Sequence, residues 1–133
     1  MTTTTIRASF SNDVKTVWQT VTSLTSYTWR SDISKIKIIK PQKQFIEYTK
    51  NGYPTTFTIT VSKPYQRYEF DLENDNIYGH WIGVFTYKNG ITTIDFTENI
   101  TAKKLFLKPL LKLYLKKQQT AYINDLKKVL KSK

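Results

Sequence analysis

Glu98 is the residue whose type and position most directly imply chemistry. It alternates with Ile94, Phe96 and Ile100 on one face of a strand-like run, and that face is otherwise apolar. A carboxylate among such neighbours is costly unless it is paired, hydrogen-bonded or kept for a ligand. Arg30, a buried tyrosine hydroxyl or a bound molecule would each satisfy it. Tyr27, Trp29, Arg30 and Asp32 form a second group. They mix aromatic and charged side chains in a connection, where binding residues often lie, although a plain surface lid has the same composition. Gln118 and Asp125 interrupt the apolar arc of a C-terminal helix. Asp125, near the end, is open to solvation. Gln118, mid-helix, either meets a ligand or bonds a tyrosine hydroxyl. Gly79 and Gly83 flank Trp81 at alternate positions. They leave volume for a ligand, or they make room for the Trp81 ring or for tyrosines of the helix.

Other chemistries are excluded by what is missing. There is no cysteine, which rules out disulfides, thiolate metal sites and thiol nucleophiles. His80 is the single histidine and has no second ligand of its kind, so zinc is not expected. A His-carboxylate pair could still move a proton near neutral pH. However, if Gly79, Trp81, Gly83 and Phe85 face inward, alternation sends His80 to the opposite face, where a surface role is expected. No Ser-His-Asp or Cys-His arrangement exists, and no catalytic residue, metal or cofactor is assigned. A tyrosine-carboxylate pair leaves no spacing motif, so an enzyme is disfavoured rather than excluded.

The elements that must position these residues follow from periodicity. Thr2 to Phe10 alternates as a strand, and Ser11-Asn12-Asp13 offers a helix cap before Val14, Val17, Trp18 and Val21. Thr22 to Tyr27 reads as a second short helix or a turn. Ile33 to Ile39, Phe45 to Lys50, Thr55 to Ser62, Arg67 to Glu73, Ile77 to Tyr87 and Ile91 to Ala102 read as six further strands. Asn51-Gly52, Asn74-Asp75-Asn76 and Asn89-Gly90 supply the turns of an antiparallel meander. From Leu105 to Lys133 the pattern is that of one long helix, with Pro109 tolerated in its first turn. Its apolar arc is expected to hold Leu107, Leu110, Leu111, Tyr114, Leu115, Ala121, Tyr122, Leu126 and Val129, with Lys112, Lys116, Lys127 and Lys131 opposite. The expected core comprises Trp18, Phe57, Phe70, Trp81, Phe96, Leu111 and Tyr114.

The 133 residues fit one domain, 1–133. The Thr-rich opening is not read as a signal peptide, and no window has the roughly 20 apolar residues of a membrane span. A soluble, cytoplasmic protein is expected. The net charge is +11, and the segment from Lys103 onward holds ten lysines and one acid. These lysines lack the interleaved exposed aromatics or arginine forks of a nucleic-acid reader, so no nucleic acid is expected. A solvated face is the first reading, with weak adhesion to anionic membrane surfaces second.

Strand, short helices, six strands and a long final helix, in that order, resemble the helix-grip fold of the START-like, or Bet v 1-like, superfamily (SRPBCC, polyketide cyclase/dehydrase-like). The resemblance is carried by Ile6-Arg7-Ala8-Ser9-Phe10-Ser11 with Val14, Val17 and Trp18, by Gly79-His80-Trp81, and by Ile94-Asp95-Phe96-Thr97-Glu98. It implies an α+β fold in which a curved antiparallel sheet of about seven strands wraps the C-terminal helix, with two short helices after strand 1. It also implies a cavity for a lipid, polyketide or quinone-like molecule. Residues expected at that cavity are Tyr27, Trp29, Arg30, Phe57, Phe70, Trp81, Phe85, Glu98, Tyr114 and Gln118. The expected partner is a small hydrophobic or amphipathic ligand. The alternatives are a cyclase or dehydratase using a cavity carboxylate and tyrosines, and an interaction module similar to Hsp90 activators. The oligomeric state is left open.

Overall fold

The computed structural model describes residues 1–133. Strand β1 (Thr2–Phe10) leads into helix α1 (Val14–Thr22), then β2 (Ile33–Lys40), β3 (Gln44–Thr49), β4 (Pro54–Lys63), β5 (Arg67–Glu73), β6 (Ile77–Lys88) and β7 (Ile91–Ala102). A 3-10 turn, Leu105–Leu107, precedes the long helix α2 (Lys108–Lys131). The seven strands form one antiparallel sheet in the order β1-β7-β6-β5-β4-β3-β2. No helix is long and apolar enough to cross a membrane.

Local chemistry sets the boundaries. The Asp13 carboxylate accepts from the Thr16 N–H at 2.8 Å and caps α1. Asn89 and Gly90 both have positive φ, the requirement of the tight turn joining β6 to β7. Register shifts in β2 and β4 bend the sheet, as bulges do. The second short helix does not form. Residues 23–32 are bends and turns in which Ser23 Oγ accepts from the Thr25 and Ser26 N–H groups. A stretch this rich in Ser and Thr offers its backbone side-chain partners that compete with helix.

Helix α2, about 36 Å long, comes nearest to the sheet along β1. It buries Leu111, Leu115, Gln119, Ile123, Leu126 and Leu130. The sequence arc is therefore rotated. Ala121 and Tyr114 are exposed, while Gln119, Ile123 and Leu130 go inside. The buried row steps by four residues along its first half, so it winds slowly round the helix as α2 crosses the sheet obliquely. The four predicted lysines, Lys112, Lys116, Lys127 and Lys131, are exposed.

The interior is divided. Under the C-terminal half of α2, Phe10, Val17, Trp18, Tyr68, Phe85, Ile94, Phe96, Ile123, Leu126 and Leu130 form a packed core with α1. Under its N-terminal half, Phe45, Phe57, Leu72, Ile100, Ala102, Leu111 and Leu115 form a second cluster. Because α2 leans toward β1, the space over the remaining strands is left incompletely filled.

Candidate functional site: a cavity between helix and sheet

The unfilled space is a cavity of about 550 Å³, and 19 of its 30 lining residues are hydrophobic. Strand alternation supplies most of the wall: Phe45 and Glu47 from β3, Phe57 from β4, Tyr68, Phe70 and Leu72 from β5, Trp81 from β6, and Phe96 and Glu98 from β7. The lining residues Asp32, Leu110, Tyr114 and Gln118 are also exposed, so the cavity opens beside the first half of α2. The Phe70 and Trp81 rings stack at 4.8 Å, and Phe96 tilts onto Trp81 at 4.6 Å. The two glycines flanking Trp81 do not donate volume to the cavity. A Cβ on Gly83 would meet the Trp81 ring at 2.5 Å, and Gly79 is pressed against the backbone of β7.

Glu98 sits between Thr4 of β1 and Trp81 of β6 in the ladder. Its carboxylate receives one long hydrogen bond, from Thr4 Oγ1 at 3.4 Å. Burial dominates, and the pKa is pushed up to about 7 despite that bond. Arg30 is not its partner. The Arg30 guanidinium instead donates to both Glu47 oxygens, at 2.6 and 3.1 Å, and to both Asp32 oxygens, at 3.1 and 2.8 Å. Burial opposes the Arg30 charge, but Glu47 and Asp32 outweigh it and raise the pKa. The Arg30 guanidinium also lies 5.2 Å from the Tyr122 ring centre. Asp125 fastens the same segment to α2, accepting from Ser31 N and Oγ at 2.8 and 2.7 Å.

The cavity contains an unsatisfied group as well. The Tyr53 hydroxyl is buried and has no hydrogen-bond partner. Burial raises the pKa of Tyr114, with Asp32, Glu98 and Tyr53 adding to the effect and the Gln118 bond opposing it. Polar groups thus converge near the mouth. Gln118 donates to the Tyr114 hydroxyl at 2.9 Å, while Gln119 reaches the Thr4 carbonyl at 3.4 Å. Burial, with Glu47 adding, pushes the Tyr68 phenol up to about 12, so it is neutral at any ordinary pH.

Of the residues expected at the cavity, Arg30, Phe57, Phe70, Trp81, Glu98, Tyr114 and Gln118 line it. Three do not. Phe85 lies in the packed core, its ring 5.0 Å from Trp18. Trp29 turns its edge to Tyr122 at 5.4 Å, and its indole N–H bonds the Ser26 carbonyl. Tyr27 is half-buried outside the wall. Alternation places Phe85 on the inward face correctly, but α1 has filled that end of the groove. Glu47 was detectable, because it alternates with Phe45 on β3. Tyr53 carried no signal, since it lies in a hairpin loop.

His80 is on the outer face. Its ring nitrogens lie 2.6 Å from Asp71 and 2.7 Å from Glu69, and Glu69 also pairs with Arg67. Burial works against the charged ring, but the two carboxylates prevail and raise its pKa above the ordinary value. Glu69 is held below the usual carboxylate range by its bonds from Arg67 and His80. The His80 contribution is full below about pH 6.5 and is lost as pH rises through its raised pKa; the Glu69 contribution is lost as pH falls through its depressed one. His80→Asn should therefore lower the melting temperature more at pH 5.5 than at pH 9. The effect should be no larger than about 1 kcal/mol, because the cluster is partly solvated. An equal loss at both pH values would contradict the charged pairing.

No known family profile matches the sequence, and no curated protein does. The similarity is structural. A START superfamily protein from Mycobacterium smegmatis superposes with a TM-score of 0.87 at 10% identity, over 98% of this chain and 97% of that one. A conserved protein from Geobacillus kaustophilus gives 0.82 at 11% identity, over 98% and 96%. A protein in the dynemicin biosynthetic locus gives 0.76 at 13% identity, over 97% of this chain and 47% of that one. The chain has the START-like helix-grip fold.

Proposed function

We propose that this protein binds one small, largely apolar molecule with a polar end in the cavity between α2 and the sheet. The observation that carries the reading is an apolar cavity holding polar groups without adequate partners. Its volume of about 550 Å³ lies within the roughly 300–1,000 Å³ of small-molecule sites. The Tyr53 hydroxyl has no partner, and Glu98 has one weak one. A ligand hydroxyl or carbonyl would satisfy Tyr53, and protonated Glu98 is able to donate as well as accept. A ligand carboxylate is disfavoured beside Glu98, because like charges would meet in a poorly solvated space. A solid interior would have favoured a protein-interaction module instead.

Native mass spectrometry of protein purified from its own host should show a retained molecule at one per chain. Tyr53→Phe should weaken its binding by roughly threefold to tenfold, the worth of one hydrogen bond. Absence of any retained molecule, together with no saturable uptake of an uncharged fluorescent probe such as a labelled long-chain alcohol, would remove the reading.

Glu98 supports a second reading, an enzyme. A carboxyl with a pKa near 7 in an apolar cavity is able to take and return a proton at neutral pH. Conversion of the retained molecule, abolished in Glu98→Gln with binding intact, would favour it over carriage alone.

A further inference from the structure

The turn before α2 and the first half of that helix expose an apolar surface that the fold leaves uncovered. Leu105, Phe106, Leu110 and Leu113 are 79%, 72%, 64% and 70% exposed. Leu110, Leu113 and Tyr114 stand at i, i+3 and i+4 and share a face, with Phe106 one turn earlier. Scattered exposed apolar residues are ordinary, but a contiguous group marks a docking surface. Lysines border it. Lys108, Lys112 and Lys116 recur every four residues as an adjacent stripe, and Lys117 follows. These four are exposed and have no carboxylate within ion-pair distance. No Asp or Glu occurs between Glu98 and Asp125.

We infer that this face docks on an anionic lipid surface. Leu105, Phe106 and Leu113 enter the boundary between headgroups and acyl chains, and the lysines meet the headgroup charge. Composition favours lipid over protein. From Lys103 to Lys117 the chain contains only Lys, Leu, Phe, Tyr and Pro. A protein interface carries about one hydrogen bond per 100–200 Å², and this stretch has no neutral polar side chain except the tyrosine to make them. A second copy placed on a two-fold axis would set the lysine stripe against itself, with no acid to neutralise it. Leu110 and Tyr114 belong both to this face and to the cavity wall, so docking turns the mouth toward the bilayer. The docking itself goes beyond the cavity reading and holds whether or not the cavity is filled.

The test is co-sedimentation of the full chain with vesicles of phosphatidylcholine alone and of phosphatidylcholine mixed with phosphatidylglycerol, at low and physiological salt. Binding to the mixed vesicles should persist at physiological salt and exceed binding to phosphatidylcholine by at least about tenfold. The variant Leu105→Ser, Phe106→Ser, Leu113→Ser removes exposed side chains outside the cavity wall, and its thermal melt should match the wild type. It should lose at least about tenfold in vesicle binding. Lys127→Glu with Lys131→Glu, roughly 15 Å or more along the helix from Lys117, should change binding far less. Equal binding by the serine variant and the wild type would overturn the inference by reducing it to bulk charge. No binding of the wild type to either vesicle would overturn it in favour of a protein partner. Concentration-dependent dimerisation lost in the serine variant, without vesicle binding, would overturn it in favour of a second copy.

Discussion

Arg30→Ala is expected to destabilise the protein by about 3–5 kcal/mol. Arg30 and Glu47 are largely withdrawn from water, with side chains 13% and 15% exposed. Removing the guanidinium strands the Glu47 carboxylate in a mostly apolar wall, and that uncompensated charge is the larger part of the loss. The substitution also releases Asp32 within the same segment, and it removes the contact with the Tyr122 ring that holds residues 23–32 against α2. A domain of this size has roughly 5–15 kcal/mol in total, so the variant should unfold at markedly lower denaturant. Urea unfolding of Arg30→Ala, Glu47→Leu and Arg30→Met/Glu47→Leu separates the causes. The double variant should recover most of the loss, because it leaves no buried charge. If Arg30→Ala falls by less than about 1 kcal/mol, the pair is effectively solvated and the wall is more open than described.

Glu98→Gln is expected to have the opposite sign, and its effect should depend on pH. The folded-state pKa of Glu98 is raised to about 7 from an ordinary 4.5. The folded state therefore holds this proton more tightly than the unfolded chain. Its contribution is fully present below about pH 4.5, declines as pH rises, and is gone above about pH 7. The difference corresponds to about 3 kcal/mol. The glutamine variant should match the wild type near pH 4 and exceed its stability by about that amount at pH 8. Urea midpoints across this range measure it. A constant offset between the two proteins would mean that the Glu98 pKa is the same folded and unfolded, and the apolar environment assigned to it would be wrong. The His80 pairing also depends on pH, but it is present in both proteins and cancels in the difference.

The two predictions differ in how legible their residues were. Glu98 stood out because a strand has a period of two, and one carboxylate in a row of Ile and Phe breaks it. Arg30 was visible as a charged residue among aromatics in a connection, but its partner was not. Choosing between Glu47 and Glu98 requires knowing how far residues 23–32 reach over the sheet. That reach is set by Ser31 bonding Asp125 across a separation of 94 residues.

The strand segments, the turns, the α1 cap and the existence of the long helix were all written locally, in alternation, in Asn-Gly pairs and in the Asp13 cap. They depend on neighbours in the chain, and so the sequence by itself determined them. The tertiary structure alone decided where the interior is solid and where it is empty. Phe85 and Phe70 both sit on inward faces of adjacent strands, yet α1 covers the first and leaves the second at the cavity. The rotation of α2 was likewise undecidable from its own residues. Its first half is apolar on two faces, and periodicity cannot tell the face that packs on β1 from the face left in solvent. Contact with the sheet selects Leu111 and Leu115, and leaves Leu110, Leu113 and Tyr114 outside.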